Sequence, residues 1–347
     1  MTVTDPPSAT VSTSSADPGP VLGLLGGVTA YWVLAAALKV GLFEALHAGV
    51  DDIAALADQC GADAGRLEVL CAALCDQGLV SAAGDRWLPT VAAEAFLTTD
   101  AGRPLGGLIL HGPGRHDNLP ALADVVRGAT PPRPVDEDGA FWADLFDATF
   151  ATQRALSMAT ARAGAVPDTK VGGLRSIERG PAAGAWSIGL LEARADAVAT
   201  VETLPAVLQR LASAARRQGV HGRLLTAAPS GAGNADVVIL ANAVRLSSRE
   251  GAQALISHAA NRVAPGGVLI DADYFTDADG RAGAAARLMA ATMLANTREG
   301  RAYTEAEHRA WITAAGLAPE LRLEPLPGFP VLLARRPAPP TQSEGRG

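Results

Sequence analysis

Apolar residues run almost unbroken through 21–48, VLGLLGGVTAYWVLAAALKVGLFEALHA, where Lys39 and Glu44 supply the charges. A helix that is apolar on every side must be covered on several sides, and in a soluble chain that points to a subunit interface. Behind it the pattern becomes amphipathic. Ile53, Leu56 and Ala57 recur at helical spacing, and so do Leu67, Leu70, Cys71 and Leu74. Residues 79–90 turn at Gly84-Asp85, as a short hairpin does. Helix, turn, helix, hairpin is the order of a winged helix. Residues 91–165 read as mainly helical, broken by a polar Gly/Pro stretch with His111, His116 and Asn118 and by the loop PPRPVDEDG. From about residue 171 strands and helices alternate. Strands are expected at 174–178, 197–202, 223–227, 236–241, 267–272, 320–326 and 330–335. Helices are expected at 184–195, 204–217, 248–263, 281–296 and 304–315. Such alternation predicts a mostly parallel sheet covered on both faces.

Composition narrows the function classes. The chain of 347 residues is 48% hydrophobic and 19% charged, which suits two globular domains and excludes a disordered chain. Its net charge of −7 argues against general nucleic-acid binding, which needs clustered Lys and Arg. The winged helix does not reverse this. Its second helix offers Arg66 and Gln77 against Asp63, Glu68 and Asp76, a poor surface for phosphates and base edges. The start, MTVTDPPSATVSTSSADPGP, has neither the basic nor the apolar region of a secretion signal. No transmembrane helix is expected, and the expected location is cytoplasmic. Cys60, Cys71 and Cys75 lack further ligands at suitable spacing, so they read as small apolar residues and no metal is expected.

Four segments then carry a resemblance: SIERGPAAGAW, ATVETLPAVL, ADVVILANAVRLSSREGAQALISHAANRVAPGGVLIDADYF and GRAYTEAEHRAWITAAGL. Their order and spacing, with YWVLAAALKVGLFEAL and GLVSAAGDRWLPT in front, resemble the S-adenosylmethionine-dependent O-methyltransferases of plant phenolic and bacterial polyketide pathways. The resemblance covers roughly residues 21–336. It implies a Rossmann-like class I methyltransferase domain behind a mainly α winged-helix dimerisation domain, an α/β chain overall that assembles as a homodimer. The expected division is a disordered leader at 1–20, the dimerisation domain at 21–165, the methyltransferase-fold domain at 166–336 and a disordered tail at 337–347.

The resemblance also says where chemistry should sit. The family's donor loop is a strand ending in an acid, then a glycine-rich turn. Here the strand ends at Glu178, and Gly180 and Gly184 bracket Pro181-Ala182-Ala183, so the inner glycines are replaced. Pro181 removes an N–H, and Ala182 adds a Cβ where a ligand's backbone contacts would lie. Glu202 stands where the family's acid binds ribose hydroxyls; a surface acid at a strand end is the plainer alternative. The stretch after the third strand, LLTAAPSGAGNADVV, lacks the acid and aromatics expected beside adenine. Where the family places a general-base His, this chain has Arg245, which stays protonated and cannot take a proton. Arg245 is then either a stabiliser of negative charge on substrate or a surface cap. His111 and His116 remain as alternative pocket bases, while His221, His258 and His308 read as structural or exposed. Met289, Met293 and Asn296 lie on the helix that lines the family's acceptor site. Trp142 and Phe146 are candidates for the same pocket, though core packing explains such residues equally well.

Three functions follow. The first is a methyltransferase-fold enzyme of natural-product biosynthesis that does not methylate, running a cyclisation or pericyclic rearrangement of a small molecule, with S-adenosylmethionine doubtful. The second is an S-adenosylmethionine-dependent O- or C-methyltransferase with a divergent donor loop. The third is an inactive binding or dimerisation partner.

Overall fold

The computed structural model describes residues 17–98, 105–111, 117–167, 173–227, 234–276 and 284–338. Contacts divide the chain into two compact units, one ending at Glu94 and the other beginning at Ala95. This differs from the boundary expected near residue 165. The long helix that follows residue 94 packs against the helices flanking the sheet, so it belongs with that unit.

The front unit is built of helices α1 (Gly19–Lys39), α2 (Leu42–His47), α3 (Ile53–Cys60) and α4 (Ala64–Asp76), then the hairpin β1 (Val80–Ala83) and β2 (Arg86–Pro89). Local chemistry sets the helix starts. Asp52 Oδ1 accepts the Ala54 and Ala55 N–H groups, and Asp63 Oδ1 accepts that of Arg66. The Arg86 guanidinium pairs with Asp51 and ties the hairpin to the entry of α3. Leu42, Phe43, Leu46, Leu56, Leu67, Cys71 and Leu74 form the interior. Burial pushes the Cys71 thiol up to about 11, as a cysteine acting as a small apolar residue should behave.

Helix α1 is predominantly apolar. Gly19–Lys39 is 21 residues long with mean hydropathy 1.9, which is long and apolar enough to cross a membrane. It also begins inside the stretch expected to be a disordered leader. Ala35 and Ala37 are its buried residues, whereas Val21, Leu22, Leu24, Leu25, Val28 and Trp32 are all more than half exposed. Its apolar surface is thus largely uncovered within one chain.

After α5 (Val91–Phe96), the second unit adds α6 (Gly106–Leu110), α7 (Leu122–Val126) and the long α8 (Gly139–Thr160). Then come β3 (Leu174–Arg179), α9 (Ala185–Ala193), β4 (Ala197–Glu202), α10 (Pro205–Arg217), β5 (Leu224–Thr226), β6 (Ala235–Ala241), α11 (Arg249–Asn261) and β7 (Val263–Ala272). The chain continues through α12 (Ala284–Asn296), α13 (Glu305–Ala314), β8 (Ala318–Leu326) and β9 (Phe329–Arg335). The sheet order is β5-β4-β3-β6-β7-β9-β8, parallel through β7 and antiparallel at β9 and β8. All seven expected strands are present. β7 starts earlier than expected, because Val263 pairs with Ala235 across a register irregularity and carries Pro265-Gly266-Gly267 into the strand.

From β3 the chain runs outward through β4 and β5, then returns to place β6 on the other side of β3. That reversal leaves a crevice at the carboxyl ends of β3 and β6, the place where open α/β sheets bind ligands. The core beneath it is apolar, with Ile177, Val201, Val237, Ile239, Leu269 and Ile270 buried in the strands and Trp186 and Leu190 buried in α9.

Candidate functional site

Two adjoining cavities open at the carboxyl ends of the central strands. The larger, about 340 Å³, has Arg179, Gly180, Pro181, Glu202, Ala243 and Ser247 in its wall. The smaller, about 60 Å³, is framed by Trp142, Trp186, Tyr274 and Phe329, with Gln153, Asn242 and Arg245 as polar groups. Trp142 and Pro181 border both. At 60 Å³ the second space is small for a ligand site, whereas the first is of ordinary size.

The turn after β3 explains itself locally. Glu178 is buried, and its two carboxylate oxygens accept the N–H groups of Gly184 and Ser187, each at 2.7 Å. It thus satisfies two of the free N–H groups at the N-terminus of α9. Burial holds its pKa above the usual carboxylate range, against the lowering effect of those N–H donors. Gly184 has φ 131°, and a Cβ there would stand 2.4 Å from Leu211 Cδ1. The positive φ favours glycine here whatever the turn binds, and the Leu211 side chain packs against it. Gly180 does face the larger cavity, with no neighbour nearer than 3.6 Å to a Cβ built on it.

Glu202 is in the cavity wall, but its carboxylate is committed. Arg262 Nη1 donates to Oε1 at 2.5 Å, and Arg179 Nη1 lies 3.7 Å from Oε2. Oε2 is buried and has no hydrogen-bond partner. A ribose held through both hydroxyls needs both carboxylate oxygens, so the residues present do not fit that mode of holding S-adenosylmethionine. The segment 228–233, where the adenine side was read, lies outside the described residues.

Arg245 is no surface cap. It is 8% exposed, and Nη1 donates to Asp273 Oδ1 at 2.6 Å and to Asn242 Oδ1 at 2.9 Å. The Asp273 carboxylate also accepts the Arg245 and Tyr274 N–H groups, and the guanidinium lies over the Tyr274 ring, 5.2 Å from its centre. Asn242 has φ 56°, the left-handed region that non-glycine residues seldom enter and that recurs at functional sites. The sequence reading found Arg245 but missed Asp273 and Asn242, its partners.

The other candidates are placed as follows. His111 is exposed at the end of α6 and is not part of either cavity wall. His116 lies outside the described residues. Phe146 is in the core beside Phe150. Met289 and Met293 are buried on α12 and are not in either wall. Asn296 is buried, where its Oδ1 accepts a hydrogen bond from Asn118 Nδ2 at 3.1 Å. Packing and hydrogen bonding thus account for the positions of these four residues. Trp142 does line the cavities, pinned by its indole N–H to the Val135 carbonyl at 2.7 Å. His308, read as structural or exposed, is buried with Nδ1 2.6 Å from Asp271 Oδ2. Among the described residues there is no cluster of His, Cys, Asp and Glu able to hold a metal ion.

Comparison with known proteins agrees with the fold. Residues 22–99 match the family model of the O-methyltransferase dimerisation domain. The chain is 29% identical over 308 residues to the 3-hydroxy-5-methyl-1-naphthoate 3-O-methyltransferase of Streptomyces sahachiroi, covering 82% of this chain and 84% of that one. Among solved structures, a candidate O-methyltransferase from Nostoc punctiforme superposes with TM-score 0.79 at 21% identity, covering 93% of this chain and all of the other. Human N-acetylserotonin methyltransferase, solved in complex with S-adenosylmethionine, superposes with TM-score 0.74 at 20% identity over 94% and 99% of the two chains. The resemblance read from the sequence holds. An O-methyltransferase dimerisation domain precedes a class I methyltransferase fold.

Proposed function

We propose that this protein is a homodimeric, cytoplasmic enzyme of natural-product biosynthesis that uses the methyltransferase scaffold without methylating. In this reading a small aromatic or polyketide substrate occupies the two cavities and is rearranged with no atoms gained or lost. The observation that carries it is the state of the two positions methyl transfer would use. The acid for the donor's ribose is paired with Arg262, and the base position holds a buried arginine. The larger cavity then gives the substrate the room that the smaller one lacks.

The pocket chemistry follows from Arg245. Bonds to Asp273 and Asn242 fix the guanidinium before substrate arrives, so it needs no reorganisation to meet negative charge developing on a substrate oxygen. Trp142, Trp186, Tyr274 and Phe329 exclude water and restrict a flat substrate to few orientations. The exposed apolar face of α1 and the matched dimerisation domain support the homodimer.

Calorimetric titration of S-adenosylmethionine into the purified protein tests the reading. No heat at millimolar ligand is expected, and micromolar affinity would overturn it. A second reading, an O- or C-methyltransferase with a divergent donor loop, draws on one observation. The larger cavity lies at the strand ends with Gly180 and Glu202 in its wall, and micromolar binding would favour that alternative.

A further inference from the structure

The buried pair at Glu202 has an unequal geometry. Arg262 is seated on Oε1 at hydrogen-bond distance, whereas Arg179 approaches Oε2 only to 3.7 Å. Oε2 is an acceptor shut away from solvent and bonded to nothing. Buried acceptors are ordinarily satisfied, and one left open at a cavity wall calls for an explanation. The Arg179 side chain is 31% exposed and forms part of the same wall. It leaves the carboxylate covered yet unbonded. Its place on the chain fixes this position. Arg179 ends β3, pairs in register with Glu202 at the end of β4, and is followed by Gly180, whose N–H donates to the Glu202 carbonyl.

We propose that Arg179 is a specificity-determining residue of the larger cavity. By lying over Glu202 Oε2, it withholds from a nucleoside's hydroxyls the acceptor that would otherwise bind them. The proposal rests on the non-methylating reading, for which it supplies a cause. It also makes a structural claim of its own: the acceptor is masked and still present. Removing the Arg179 side chain exposes Oε2 while Arg262 keeps the buried carboxylate paired, so the variant has no stranded charge and folds. One oxygen then accepts one hydroxyl, and a single added hydrogen bond corresponds to roughly tenfold in affinity.

The experiment titrates S-adenosylmethionine, S-adenosylhomocysteine and adenosine into the wild-type protein, Arg179→Ala and Arg179→Ala/Glu202→Gln, with thermal melts confirming that all three are folded. The expected result is no detectable binding to the wild type, or binding at least about tenfold weaker than to Arg179→Ala, with the gain lost in the double variant. Equal binding by wild type and Arg179→Ala overturns the proposal, and so does a gain that survives Glu202→Gln. The wild-type titration alone decides the underlying reading. Tight wild-type binding that rises further in Arg179→Ala sinks that reading and keeps the proposal. Absent binding in both proteins keeps the reading and sinks the proposal. If Arg179→Ala melts early, Arg179→Leu, which retains the aliphatic bulk, takes its place.

Discussion

Replacing Arg245 with methionine keeps most of the side chain's length and removes its charge. The consequence falls on Asp273, whose side chain is 1% exposed beside an Arg245 side chain that is 9% exposed. Breaking a buried ion pair by removing one partner typically costs about 3–5 kcal/mol, because the remaining charge has no counter-ion. Here Asp273 keeps the backbone N–H groups of residue 245 and Tyr274, so the lower end, about 3 kcal/mol, is expected. Asp273→Asn alone strands the guanidinium instead, which can still lean on Asn242 and the Tyr274 ring. The double variant Arg245→Met/Asp273→Asn leaves no charge behind, so its loss should fall short of the summed single losses by about 2 kcal/mol or more.

Urea denaturation followed by tryptophan fluorescence measures this. Trp142 and Trp186 sit beside the pair and report on the unit that contains it. The midpoint should fall with the slope unchanged, since the surface exposed on unfolding is the same. A loss below about 1 kcal/mol for Arg245→Met, or additive losses in the double variant, would refute the claim that the two charges depend on each other.

Gly184→Ala should cost about 2–4 kcal/mol in the same denaturation assay, from the left-handed backbone and the collision with Leu211; a near-neutral result would mean that α10 yields easily. At His308, burial alone would lower the pKa, but the Asp271 carboxylate at 2.6 Å outweighs it and holds the ring's pKa above its ordinary value. Protonated His308 therefore stabilises the fold fully below about pH 6.5, and that contribution is lost as pH rises through the higher folded-state value. Melting temperature should decline over that window in the wild type and less in His308→Asn, and identical slopes would exclude the pair as the cause. Leu25→Glu on the exposed face of α1 should shift the sedimentation mass from dimer to monomer, and an unchanged mass would place the interface elsewhere.

The sheet was legible because each buried strand is a short apolar run closed by a turn, and each helix between carries apolar residues at its own period. Val237–Leu240 and Leu269–Ile270 can hardly be anything but interior strands once α11 separates them. The winged helix was legible for a similar reason, through the helical spacing of Ile53, Leu56 and Ala57 and of Leu67, Leu70, Cys71 and Leu74, and through the Gly84-Asp85 turn. What spacing could not give was the pairing of side chains distant in sequence. Glu202 and Arg262 are sixty residues apart, and Arg245 and Asp273 twenty-eight. Asp271 and Asp273 sat in plain view in LIDADYF, yet nothing in that run says which acid faces His308 and which faces Arg245. The α12 candidates are ambiguous in another way. Met289 and Met293 have the spacing of a lining face, but that spacing is also the spacing of a packed one.

The two positions at issue share a pattern. Each keeps a carboxylate at a strand end on the ligand side, and at each a guanidinium has taken the place a ligand or a base would occupy. Glu202 has Arg262 and Arg179, and Asp273 has Arg245. Stability does not account for this, since a buried ion pair often holds a fold no better than apolar residues of the same volume. Both carboxylates are desolvated and paired. The arrangement at Asp273 leaves a rigid cation facing an aromatic cleft, and the one at Glu202 leaves an acceptor covered by an arm that could leave it. In the proposed reading the first is poised for an anionic substrate oxygen and the second is a nucleoside site closed from within, a closure that the Arg179 titration distinguishes from simple loss.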